Sequence, residues 1–135
     1  MTYAVTWGRD ETAPGRQPRV EIMTVAELDQ VLDRISRDAE ADKAPVVVDI
    51  FPTDGSAGLQ IGVGHPQRSF VFHVSYGFGT DPTVAPWPQT IEFDYAGEPT
   101  DYQPEETRVA PGAARAAARE YITTRQRPTC LEWPS

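Results

Sequence analysis

A chain of 135 residues is the length of one domain and is long enough to bury a core without staples, while its single cysteine excludes an internal disulfide framework. The net charge of −8 argues against a phosphate backbone as direct partner. No basic and apolar leader follows Met1, and the apolar runs are only a few residues long, so the expectation is a cytoplasmic protein with no membrane span.

Tyr3–Trp7 alternates apolar and polar residues and reads as a first strand. Gly8–Arg19 is turn-rich around Pro14 and Gly15 and leads to a second extended run, Val20-Glu21-Ile22. Thr24 and Glu27 stand at capping-box spacing and start a helix, with Met23 placed to staple onto Leu28. Its apolar stripe is Leu28, Val31, Leu32 and Ile35, and Asp29, Asp33, Arg34, Arg37 and Asp38 form its solvated face. Three runs follow, Val46–Phe51, Leu59–Gly64 and Phe70–Tyr76. The short turns between them make them antiparallel. Leu59, Ile61 and Val63 point one way, and Gln60, Gly62 and Gly64 the other. In the third run Phe70, Phe72, Val74 and Tyr76 share the inner face, which turns His73 outward.

Residues 77–90 lose all periodicity and read as a loop carrying Trp87 between two prolines. Thr90–Tyr95 resumes alternation, with Ile91, Phe93 and Tyr95 inward and Glu92 and Asp94 outward. Gly97–Thr107 is a second, acidic loop containing Tyr102. Pro111 then opens a helix in which Ala114, Ala117, Ala118, Tyr121 and Ile122 recur at the helical period, until Pro128 stops it. Thr129–Trp133 alternates as a last strand, with Leu131 and Trp133 on one face. The order predicts one α+β domain over residues 1–135, a mostly antiparallel sheet with two helices packed on one face. Its expected core is Val5, Trp7, Leu28, Leu32, Ile35, Val48, Ile50, Leu59, Ile61, Phe70, Phe72, Ile91, Phe93, Tyr121, Leu131 and Trp133.

Catalytic candidates are thin. Cys130 sits in the alternating C-terminal run, where a buried inert thiol is the ordinary reading. His65 lies in a turn and His73 on a strand, with no third ligand at zinc spacing, so no metal or cofactor is expected. Gly62-Val63-Gly64 lacks the third glycine and the following helix of a phosphate cradle; close packing explains it better. Glu92 and Asp94 share a strand face about 7 Å apart, so a small-molecule-binding or hydrolytic domain using His73 with one of them is the alternative reading.

The distribution of charge is more telling. Between Arg68 and Arg108 there is no Lys or Arg, while Asp81, Glu92, Asp94, Glu98, Asp101, Glu105 and Glu106 all fall there. Such a tract either keeps the protein soluble or steers a basic partner. Under the second reading the contact residues are Asp81, Trp87, Glu98, Asp101, Tyr102, Glu105 and Glu106, with the two aromatic residues as anchors.

A resemblance favours the second reading. Thr124-x-x-Arg127-Pro128, two residues, then Leu131-x-Trp133 resembles the C-terminal signature of immunity protein family one of bacterial polymorphic toxin systems. Leu59–Gly64 and Phe70–Tyr76 resemble that family's Gly-rich strand and its partner, so the likeness spans roughly residues 45–133. The family usually has a Gly where this chain has Thr124 or Arg125. The resemblance implies a non-enzymatic inhibitor of a cognate toxin, often one of the nucleic-acid deaminase fold. An acidic surface would occlude such a toxin's basic cleft.

Overall fold

Helix α1 (Val25–Asp42) starts where the sequence places it: the Thr24 hydroxyl accepts from the Glu27 N–H, and the Glu27 carboxylate accepts from the Thr24 N–H. A computed structural model describes residues 1–9 and 15–134; the Pro14 part of the expected turn-rich segment Gly8–Arg19 lies outside them. Leu28, Val31, Leu32 and Ile35 of α1 are buried, as the stripe requires, while Met23 is exposed and makes no staple.

Among the described residues the sheet has eight strands. Six of them, β1 (Tyr3–Trp7), β2 (Arg19–Ile22), β3 (Val46–Pro52), β4 (Leu59–Val63), β5 (Val71–His73) and β6 (Gly77–Gly79), run antiparallel in the order β2-β1-β3-β4-β5-β6. Strands β7 (Ile91–Tyr95) and β8 (Glu98–Tyr102) form a hairpin joined to β3 by one parallel pair, Val46 with Asp94. Helix α2 (Pro111–Thr124) and α1 cover one face, so the α+β arrangement with both helices on one side holds.

That face carries the larger core. Tyr3, Val5, Ile50, Leu59, Ile61 and Val71 pack against the α1 stripe and against Ala114, Ala117, Ala118 and Tyr121 of α2. The alanines let α2 lie close. Tyr121 closes the far end: its hydroxyl donates to the Ala57 carbonyl at 2.6 Å, and its ring meets that of Tyr3 at 5.7 Å. Burial pushes the Tyr121 phenol up to about 12. Arg115 and Arg119 latch the helices together on Asp29 and Asp33.

The opposite face is not bare. The β7–β8 hairpin folds over it and builds a second core from Val47, Phe70, Ile91, Phe93 and Tyr102. A Cβ on Gly62 would lie 2.5 Å from the Phe93 ring, so this glycine is a seat for that ring. Gly64, at φ +110, faces Ala39 and Pro45 instead, so the two glycines do not share an opening for a partner.

Several expectations change. The Phe70–Tyr76 run is interrupted after His73 by a turn, in which the Tyr76 N–H donates to the His73 carbonyl, and Gly77 at φ +85 returns the chain as β6. Both faces of this strand are covered, so it has no outward side. Val71 and His73 are buried beneath α2, whereas Val74 and Tyr76 are exposed. Residues 98–102 are strand β8, not loop. Thr129–Trp133 is a turn with a single bridge from Glu132 to Thr80, not a strand. Phe72 and Trp133 are half-buried, each at the margin of a different core, and Cys130 is exposed.

Arg125 ends α2 at φ 60, in the left-handed region that favours Gly. Its side chain meets Asp54 at 3.0 Å, but both groups are about half exposed. Arg125→Gly is expected to stabilise the fold by about 0.5 kcal/mol, because relief of the backbone outweighs a solvent-screened pair. A urea midpoint that fails to rise would show that the ion pair dominates.

Candidate partner-binding surface

The inward residues of the hairpin dictate its outward ones. Ile91, Phe93 and Tyr102 are drawn into the second core, so Glu92, Asp94 and Asp101 turn to the other side. The register sets Glu92 directly opposite Asp101. Like charges facing each other across a strand pair oppose folding. Glu98 stands near the hairpin tip, opposite Tyr95, whose hydroxyl accepts from the Gln60 side chain at 2.9 Å. Tyr95 is thus exposed at the edge rather than inside the core.

Beside this acidic face lies a groove of about 580 Å³. Its walls are the end of α1 (Glu40, Lys43), the β4–β5 turn (Gly64, His65, Pro66) and the segment from Trp87 to Glu92. Trp87 is half-buried, with the Arg68 guanidinium 4.9 Å above its ring and the His65 ring edge-on at 5.4 Å. Arg68 also donates to the Ala85 carbonyl at 2.6 Å, and Arg108 donates to the carbonyls of Val84 and Pro82. These two arginines tie the Trp87 loop to the body of the fold. His65 keeps the turn beneath it closed, its Nδ1 accepting the N–H groups of Gln67 and Arg68.

Of the residues expected to bind, the structure sets Trp87 and Asp101 at this surface, with Glu92 between them. Glu98 lies farther along the same hairpin. Asp81, Glu105 and Glu106 belong to an adjoining pair of loops and have local partners. Asp81 accepts from the Thr83 N–H and hydroxyl, Glu106 accepts from the Gln103 N–H, and Glu105 meets Arg108 at 3.3 Å. Tyr102 is not available as an anchor: it is 7% exposed, its ring stacks on Phe70 at 4.1 Å, and burial pushes its phenol up to about 12. Glu40, Lys43, His65 and Arg68 are additions that the chain order hid, since three distant elements bring them together.

The catalytic alternative does not assemble. His73 lies on the helix side among Tyr76, Tyr121 and Trp133, its Nδ1 accepting the Ser75 N–H, while Glu92 and Asp94 belong to the hairpin on the other face. The sheet stands between them. The Cys130 thiol is raised by partial burial and by Glu120, which disfavours a reactive thiolate. Among the described residues no three His, Cys, Asp or Glu side chains gather as a metal set, and no helix is long and apolar enough to cross a membrane.

Burial, with Arg127 nearby, lowers His73 below its usual range, and burial with Arg68 lowers His65. The unfolded chain then binds more protons as pH falls below about 6.5, so this share of stability is complete above that value and lost beneath it. Asp49, raised by burial, acts in the opposite sense. The urea midpoint should fall between pH 7.5 and pH 5, and His73→Gln should flatten the slope. An unchanged slope would place His73's titration outside folding.

The family model described as "Immunity protein Imm1" matches residues 16–135. No curated protein matches the chain.

Proposed function

The chain belongs to the Imm1 immunity protein family, and from that membership we propose that it neutralises a cognate toxin in the cytoplasm by binding alone, through the acidic outer face of β7–β8 and the Trp87 groove. The observation that carries this reading is the pairing of Glu92 with Asp101. A hairpin under no demand but folding would gain by placing an opposite or neutral residue at either position. Carboxylates kept opposed on a rigid edge are suited to a positively charged partner.

A toxin that acts on nucleic acid, such as one of the deaminase fold, needs a basic cleft to hold the phosphate backbone. The acidic hairpin would occupy that cleft by charge and by bulk, and the inhibitor itself would do no chemistry. Asp81, Glu98, Glu105 and Glu106 widen the field that steers the encounter, and Trp87 supplies the apolar anchor. Tyr102 serves from below, as part of the platform. A lone cysteine suits a reducing compartment.

The test is kinetic. Trp87→Ala should raise the dissociation rate from the toxin about thirtyfold, the equivalent of a 2 kcal/mol hot spot, with little change in association. A dissociation rate equal to that of the wild type would remove the groove from the interface.

A further inference from the structure

Among the described residues β2, β6 and β8 are outermost in the sheet, and an outer strand must be protected from stray pairing. The outer edge of β8 contains Pro99, which has no N–H to donate, and its Glu98 and Asp101 would repel a second acidic strand. The edge of β6 is closed by the C-terminal segment: Thr80 and Glu132 exchange backbone hydrogen bonds, and Trp133 lies against Gly79. Strand β2 has neither device. Among the described residues it pairs with β1 alone.

The direction of its backbone groups follows from the register. The Thr53 N–H donates to the Thr2 carbonyl and the Trp7 N–H to the Pro18 carbonyl, so even-numbered residues of β1 address β3 and odd-numbered ones address β2. In β2, Val20 and Ile22 therefore bond inward, while the N–H and C=O of Arg19 and Glu21 point out of the sheet. The side chains of Arg19 and Glu21 are about half exposed and lie 2.7 Å apart.

We propose that β2 is a homodimer interface, pairing antiparallel with β2 of a second copy across a two-fold axis through Val20. Arg19 then faces Glu21 of the second copy, and Glu21 faces its Arg19. These are the two residues whose backbone groups point outward, so the main-chain hydrogen bonds and both charge pairs form in one register. Val20 meets its own copy on the axis. A groove of about 240 Å³ between β2 and α1, with Val31 at its floor and Gln30 and Arg34 on its rim, gives the incoming valine an apolar place. Self-pairing here is complementary, whereas self-pairing at β8 would set acid against acid. The acidic hairpin stays free in both copies, so the dimer carries two toxin sites.

Sedimentation velocity on the full chain tests this. The wild type should show a concentration-dependent monomer–dimer equilibrium. Arg19→Glu and Glu21→Arg should each weaken it about tenfold or more, since each places like charges opposite one another twice. Mixing the two variants restores both charge pairs, and the mixture should dimerise where neither variant alone does. A wild type that stays monomeric to about 1 mM, single variants that dimerise like the wild type, or a mixture that stays monomeric would each overturn the proposal. A monomeric wild type whose toxin affinity falls on Glu21→Pro would mean that the edge receives a toxin strand instead.

Discussion

Phe70→Ala is expected to destabilise the protein by about 3–5 kcal/mol, the cost of a large cavity in a core with few neighbours to collapse into it. Phe70 has no exposed surface and meets Tyr102 at 4.1 Å, Phe93 at 5.1 Å and Phe78 at 6.2 Å. It packs Phe93 and Tyr102 of the β7–β8 hairpin onto the sheet, and among the described residues the one strand pair beside it there is Val46 with Asp94. Trp133→Ala should cost clearly less. Its ring is half-buried over Gly79 and its indole N–H donates to the Pro128 carbonyl, so it seals a margin rather than filling an interior. Urea unfolding of both variants checks the ranking. A Phe70→Ala loss below about 1 kcal/mol would show that the hairpin is held by something other than this cluster.

The second large effect is on binding, and it carries a sign that separates function from folding. The double variant Glu92→Gln, Asp101→Asn removes a repulsion, so the protein should gain about 0.2–1 kcal/mol in stability. The same change should slow association with the toxin about tenfold at low salt, and the difference should shrink as salt rises and the Debye length falls from about 10 Å at 0.1 M to about 3 Å at 1 M. Stability and association rate moving in opposite directions is the result expected of a surface kept for a partner. A variant that is more stable and associates as fast as the wild type would make the acids a solubility device. The glycine-bearing sheet face offers no fallback at Gly62, since Phe93 covers it.

The elements visible in the sequence were those with a strong local signal. The Thr24–Glu27 box, the α1 stripe and the alanines after Pro111 all depend on neighbours within a few residues, and all formed as read. Strand β8 was hidden because Glu98-Pro99-Thr100-Asp101-Tyr102 has little apolar alternation. Its pairing is imposed by the Ala96–Gly97 turn, where both residues have positive φ, and alanine there lacks the Asn-Gly mark of such a turn. His73 lies on the side opposite to the one its alternation suggests, because period two says which residues share a face but not which face is covered. Leu131 and Trp133 imitate a strand, yet among the described residues Glu132 alone of that run forms a bridge. The candidate site was half visible: Trp87 and the acids stand out in the sequence, but Arg68 and His65 reach Trp87 only through the fold.

The seating of Phe93 on Gly62 also divides the hairpin in a heritable sense. A side chain at position 62 and an aromatic ring at position 93 exclude each other, so position 62 can gain a side chain only after position 93 has given up its ring. The outward Glu92 and Asp101 take no part in that core contact. A lineage pursuing a toxin that keeps altering its surface can therefore rewrite alternate residues of the hairpin one mutation at a time. The architecture passes down unchanged through the residues between them.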